Sequence, residues 1–281
     1  MDAKPIGTPL DNNTTLTKPK PDETMTDITK YQSLVGSLMY ASIGTRPDIT
    51  HTVTVLSQYS SAPSEAHHQA AMWVFRYLKG TISQSLRYPK FQHLELDVYS
   101  DSSYANDLAD RRSFSGYLVR LGKSAISWRS RKQRSVAVST TEAEYMALSL
   151  AARQLVWIRN GLLELQQHCQ YYLYTDNTGA IDITKNPILH DRSKHIDVHY
   201  HYTREQLSIG TFHLLYVPSS DNLADILTKG LPKSNHQYLA DIIQTGKWGE
   251  VLESGVIATF GSGDEEEYYT DGPTLEPPDG S

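Results

Sequence analysis

Four carboxylates stand where chemistry could be done. Asp101 closes the segment LELDVYSD, Glu144 lies near the start of a long helical pattern, Asp176 closes YYLYTD, and Asp225 sits in NLADILTKG. Asp is a poor strand residue, so an Asp at the end of an apolar strand needs a reason. Positions 144, 147, 148, 151, 155, 158 and 162 read Glu, Ala, Leu, Ala, Leu, Ile, Leu, one continuous helical face that includes Glu144. An acid on a core-facing stripe is costly unless it is paired or binds a cation. Glu142 is taken by a different task, since Ser139-Thr-Thr-Glu142 is a capping box. Turn formation and helix capping explain any one of the four acids well and all four together poorly. Converging carboxylates that hold two divalent ions are what in-line phosphoryl hydrolysis needs. Hard oxygen ligands select Mg²⁺ or Mn²⁺ over zinc.

The elements that must position these acids are legible in the periodicity. At Leu94 the pattern changes from helical to alternating: LELDVYSD, SGYLVRLG and AISWRSRKQ read as three strands, the last two joined at Gly122-Lys123. The capped helix runs to about Gln167. YYLYTD is a fourth strand, followed by a short helix near Thr178–Thr184, a loop through Pro187, a helix near His195–Leu207 and the strand TFHLLYV. Asn222–Lys229 is expected as a last helix with Asp225 inside it. A three-strand meander followed by strand–helix alternation predicts an α/β fold with a mixed five-stranded sheet flanked by helices.

Ahead of the sheet, three helices are expected. YQSLVGSLMYAS puts Leu34, Leu38 and Met39 on one stripe, TRPDITHTVTVLSQYSS has Pro47 in its first turn, and SEAHHQAAMWVFRYLKGT turns Ala71, Trp73, Val74 and Leu78 inward. The expected organisation is a disordered Pro-rich lead-in (1–30), a helical segment (31–92), the sheet domain (93–232), a C-terminal extension (233–260) with one more helix at YLADII, and a disordered acidic tail (261–281).

Composition bounds the rest. No apolar run approaches the ~20 residues of a membrane span. The lone Cys169 excludes an internal disulfide framework and a cysteine zinc site, and points to a reducing, intracellular setting. The net charge of −6 is uneven: residues 251–281 hold eight acids and no Lys or Arg, leaving 24 acids against 26 basic residues before them. Arg111, Arg112, Arg129, Arg131, Lys132 and Arg134 cluster around the hairpin, interleaved with Tyr117 and Trp128, as a surface for nucleic-acid backbones would require. An ordinary solvated strand face is the alternative. His195 and His199, with His201 close by, have a metal-like spacing but no fourth ligand, so polar or structural roles are expected.

These segments carry a resemblance. YQSLVGSLMYASIGTRPDI, HHQAAMWVFRYLKGT, SDSSYANDLADRRSFSGYLVRLG, ISWRSRKQRSVAVSTTEAEYMAL, YTDNTGAI, RSKHIDVHYHYTREQL and NLADILTKGL occur in order over about 200 residues. Together they resemble the C-terminal part of a copia-type LTR retrotransposon pol polyprotein, the end of reverse transcriptase plus its ribonuclease H domain. The resemblance implies an RNase H fold, a catalytic and metal-binding set at Asp101, Glu144, Asp176 and Asp225, two Mg²⁺ or Mn²⁺ ions, and endonucleolytic cleavage of the RNA strand of RNA–DNA hybrids. It also implies a polymerase part of reverse transcriptase as partner, and residence in a cytoplasmic virus-like particle or the nucleus. Residues 31–92 resemble only the end of reverse transcriptase, so this chain alone is expected not to polymerise DNA. Two departures stand out. The loop VPSSDN lacks the histidine that many RNases H carry before the last catalytic segment, and Ser103-Tyr104 stand where such elements commonly have Asp-Trp. They keep open a second reading, a catalytically inactive remnant that only binds nucleic acid.

Overall fold

A computed structural model describes residues 3–11, 14, 16–90, 94–185 and 197–246, with backbone alone at 197–201. The helical segment comprises α1 (Ile28–Gly44), α2 (Thr50–Ser57) and α3 (Glu65–Gly80). The sheet domain follows as β1 (Glu95–Ser103), β2 (Phe114–Leu121), β3 (Ser124–Lys132), α4 (Thr140–Glu164), β4 (Gln170–Thr175), α5 (Thr178–Lys185), α6 (Asp197–Ser208), β5 (His213–Tyr216) and α7 (Lys233–Thr245). The strand order is β3-β2-β1-β4-β5, with the β1–β2 and β2–β3 pairs antiparallel and the β1–β4 and β4–β5 pairs parallel. This is the expected mixed α/β sheet.

The alternation of β1 explains its central place. Leu96 and Val98 enter one core with Tyr117, Val119, Leu173 and the α4 residues Leu148, Ala151 and Leu155. Tyr99 enters the other with Leu118, Leu223, Leu227 and the α7 residues Leu239, Ile242 and Ile243. β1 is buried on both faces along most of its length, although only Leu96, Val98 and Tyr99 of its residues are apolar, so it carries buried polar groups into the sheet. The β2–β3 hairpin closes through Gly122 and Lys123, both at positive φ (54° and 72°), the conformation a two-residue turn between twisted strands requires. The α4 cap forms as Ser139 Oγ accepts from the Glu142 N–H, while the Glu142 carboxylate accepts from the N–H of Val138, one residue further back than a capping box places it.

Several expectations are corrected. The α1 stripe is Tyr31, Val35, Leu38 and Ser42 rather than Leu34, Leu38 and Met39, because the helix turns its aromatic Tyr31 to the core; Met39 is left exposed. Asn222–Lys229 is not an α-helix. It is a tight segment with one short 3-10 turn at Asp225–Leu227, preceded by another at Ser219–Asp221, and its leucines pack in the second core. The lead-in is not disordered where it is described: Ile6, Leu10 and Leu16 pack on the helical core, and Trp73 Nε1 and the Tyr59 hydroxyl donate to the carbonyls of Thr8 and Leu16. Spaced apolar residues in an extended Pro-rich chain suffice to cover α3. Helix α7 is a wall of the second core, so a boundary at 232 would cut through packed side chains. The acidic tail lies outside the described residues, as does His195 and, for their side chains, His199 and His201.

The helical segment is tied to the sheet domain by a buried polar knot. Arg46 binds Asp48 through two nitrogens (2.9 and 2.7 Å), the Tyr77 hydroxyl donates to Asp48 (2.7 Å), and His236 of α7 contacts the Asp48 carbonyl (3.2 Å). The side chain of Asp48 is fully buried. Breaking a buried pair from one side strands the remaining charge, at a cost of about 3–5 kcal/mol. Arg46→Met is therefore expected to lower unfolding free energy by about that amount, read from urea denaturation monitored by tryptophan fluorescence. A loss of less than about 1 kcal/mol, the range of an exposed pair, would mean the knot is not structural.

Candidate functional site

The acids meet because three independent elements end at one corner. Ser100 of β1 pairs with Thr175 of β4 in parallel register, so Asp101 and Asp176 emerge side by side at the carboxyl ends of adjacent strands. Glu144 descends onto them from the second turn of α4. One oxygen from each of Asp101, Glu144 and Asp176 lies within 4.8 Å of the others. Asp225 arrives on the flat segment after β5. Asn222 Nδ2 pins that segment to the Ser100 carbonyl (3.0 Å), and Gly116, opposite Asp101 in the β1–β2 register, lets it approach. A Cβ on Gly116 would lie 2.8 Å from Thr228 Cγ2 and 2.9 Å from Leu227 Cβ, so only glycine fits.

The electrostatics are those of buried like charges brought close together. Burial raises Asp101 well above the ordinary carboxylate range, and the Asp225 and Glu144 charges raise it further. Burial pushes Glu144 up to about 8, with Asp176 acting in the same direction and Ser102 and Lys229 opposing. Asp225 is raised by burial and held back by Lys229. Glu144 Oε2 and Asp225 Oδ1 are buried and have no hydrogen-bond partner among the described residues. Unpartnered buried carboxylate oxygens, all hard donors, suit a divalent cation such as Mg²⁺ or Mn²⁺.

Three positioning groups were not singled out in the sequence. The Thr228 hydroxyl donates a short hydrogen bond to Asp101 Oδ2. Ser219, from the VPSSDN loop, donates to Asp176 Oδ2 (2.6 Å). Lys229 Nζ lies 2.9 Å from Asp225 Oδ2 and 3.9 Å from Asp101 Oδ2. Only Lys229 left a signal, its i, i+4 spacing from Asp225.

The six basic residues do not form one surface. Lys132 is held by Asp107 (2.5 Å) and Asp110 (2.9 Å), and Arg112 faces Asp110 (3.6 Å). Arg111 is exposed on the same loop, at positive φ. Arg129, Arg131 and Arg134 have no acidic partner among the described residues, and Arg153 of α4, not singled out in the sequence, joins them. Burial and then the charges of Arg129, Arg134 and Arg153 hold the Arg131 guanidinium below its usual value. Arg131 pairs with Ser115 and Ser115 with Ser102, so the backbone of Arg131 lies two strands from β1, about 10 Å across the sheet.

No family model matches the chain. It is 39% identical over 247 residues to the retrovirus-related Pol polyprotein from transposon TNT 1-94 of Nicotiana tabacum, a match covering 86% of this chain and 18% of the polyprotein. The retrovirus-related Pol polyprotein from transposon RE1 of Arabidopsis thaliana is 40% identical over 243 residues, 86% of this chain and 16% of the relative. The chain thus spans less than a fifth of the length of either. Among solved structures, the N-terminal RNase H domain of Rv2228c from Mycobacterium tuberculosis aligns over 53% of this chain and 97% of its own, at 13% identity and a TM-score of 0.34.

The carboxylate shifts predict an inverted pH dependence for metal-free protein. The stability linked to the raised Glu144 is fully present below its ordinary 4.5 and is lost as pH rises through about 8. In EDTA, the thermal midpoint is expected to fall steadily from about pH 5 to about pH 9, and Glu144→Gln to flatten that fall. Differential scanning calorimetry across the range would show it; a midpoint that rises with pH contradicts the clustering.

Proposed function

Because the chain belongs to the retrovirus-related Pol polyproteins of transposons, we propose that its RNase H-like domain is a metal-dependent ribonuclease that cleaves the RNA strand of RNA–DNA hybrids endonucleolytically. The observation that carries this reading is the convergence of the carboxylates of buried Asp101 and Glu144 and half-buried Asp176, with buried Asp225 beside them and an unpartnered oxygen on both Glu144 and Asp225. Two Mg²⁺ or Mn²⁺ ions held by these four residues would supply the Lewis acidity that activates water and stabilises the leaving oxygen. The chain's own contribution is placement. Thr228 fixes the Asp101 carboxylate, Ser219 fixes that of Asp176, and the two cores keep β1, β4 and α4 from spreading under repulsion. The helices of residues 31–92 are, on this reading, the end of a reverse transcriptase whose polymerase part is the natural partner.

Substrate binding falls to the arginines. Arg131 stands on the strand two removed from the one that bears Asp101, in the same sheet. Hybrid is preferred to double-stranded RNA because 2′-hydroxyls on one strand mark the RNA and the deoxyribose strand deforms more readily. Arg129, Arg131 and Arg134 are the backbone contacts; Lys132 and Arg112 spend their charge on Asp107 and Asp110. Ser103, at the end of β1 where related elements commonly carry an acid, favours one rival reading, a remnant that binds hybrid without cutting it.

Purified protein with Mg²⁺ is expected to cleave the labelled RNA of a hybrid and to leave double-stranded RNA intact. Asp101→Asn should reduce the rate by on the order of 10³-fold, the loss of several kcal/mol of charge stabilisation, while hybrid binding persists. Equal cleavage of both duplexes overturns the substrate, and binding without any cleavage selects the rival. Arg131→Ala with Arg134→Ala should weaken binding and lower the salt slope by about one unit per lost phosphate contact. Lys132→Ala should change that slope much less, as fluorescence anisotropy at several salt concentrations would measure.

A further inference from the structure

Lys229 is the one cation among the described residues that reaches the acid cluster. Its place is set by local backbone: the N–H groups of Thr228 and Lys229 both donate to the Asp225 carbonyl (3.2 and 3.3 Å), winding the chain so that Lys229 projects back over Asp225. The ammonium then sits 2.9 Å from Asp225 and 3.9 Å from Asp101, between two of the four carboxylates. Asp101 is one of the three carboxylates whose oxygens lie within 4.8 Å of one another, and on the metal-site reading Asp225 joins them. The side chain is still 36% exposed and borders a groove lined by Leu10, Asp11, His51, Gln58 and Asp107. The ammonium therefore has a solvent-facing outlet, along which Gln58 and Asp107 already accept from Lys132.

We propose that Lys229 is a built-in counter-ion, which holds the acid cluster together before metal arrives and is displaced into this groove when the first ion enters. This rests on the metal-site reading above and adds to it that metal affinity is set by competition with the chain's own ammonium. Two like charges cannot share the cluster: an ammonium and a divalent ion a few ångströms apart repel by an amount that matters in a half-buried site. The flexible lysine, a point charge on a four-carbon stem, is the partner that can move. Linkage then requires that whatever the lysine contributes without metal is subtracted from what metal contributes.

The test compares wild type, Lys229→Met and the charge-keeping Lys229→Arg, with two readouts that need no turnover. In EDTA, Lys229→Met should melt about 5 °C below wild type, with Lys229→Arg close to wild type, and saturating Mg²⁺ should close most of the gap. By isothermal titration, Mn²⁺ should bind Lys229→Met about ten-fold more tightly than wild type, the competing charge being gone. If Lys229→Met does not fold without metal, wild type carries the test: the Lys229 ¹⁵Nζ resonance of EDTA-treated protein should shift as Mg²⁺ is added. Equal Mn²⁺ affinity in wild type and Lys229→Met, weaker affinity in the mutant, a melting gap that Mg²⁺ leaves unchanged, or an ammonium resonance indifferent to Mg²⁺ each overturns the counter-ion role while sparing the metal site. Failure of any variant to bind Mn²⁺ overturns the metal reading itself, and the counter-ion role with it.

Discussion

Mutual repulsion among four carboxylates gathered in one corner, three of them buried, is the constraint to which the rest of the fold answers. Two unit charges 4 Å apart at an effective dielectric of about 20 repel by roughly 4 kcal/mol. Nothing at the corner itself offsets that fully. The elements bearing the acids are instead anchored away from it. Leu148, Ala151 and Leu155 hold α4 on the sheet, β1 is locked between β2 and β4, and Leu223, Ile226 and Leu227 hold the flat segment in the second core. Each buried leucine or isoleucine contributes about 1.5–3 kcal/mol, so a handful of anchors on each element exceeds the repulsion. The acids are carried to their positions by a core that gains nothing from their chemistry.

The helical segment serves the same end from the other side of the sheet. β3 is an edge strand, and an uncovered edge invites pairing with other chains. Here Trp128 donates to the Ser42 carbonyl (2.7 Å), Thr54 to that of Ser130 (3.4 Å), and Tyr88 to that of Ala125 (3.1 Å). The Arg46–Asp48–Tyr77–His236 knot then joins that covering layer to α7, the wall of the second core. Charge is also sorted by this packing. Asp107 and Asp110 neutralise the basic residues of the β1–β2 loop side, while the α4 edge of the sheet keeps its arginines crowded together.

The sequence by itself determined the five strands and the long helix, and pointed to the four acids. Alternation named the strands, and the 3.6-residue face singled out Glu144 over Glu142, because period and burial are local properties of the chain. Strand-end aspartates were legible for the same reason: Asp interrupts an apolar pattern wherever it stands. Tertiary structure alone decided the partners. That Thr228 serves Asp101 and Ser219 serves Asp176 depends on contacts across 127 and 43 residues, to which no spacing rule applies. The 222–229 segment looked helical because its apolar residues have helical spacing. It lies flat because Asn222 bonds to β1 and Gly116 leaves room for close approach, and neither fact is local. Six basic residues likewise looked alike as a cluster. Only the fold set acids against Lys132 and Arg112 and brought Arg153 to the others, since charge is written in the sequence but the distance between charges is not.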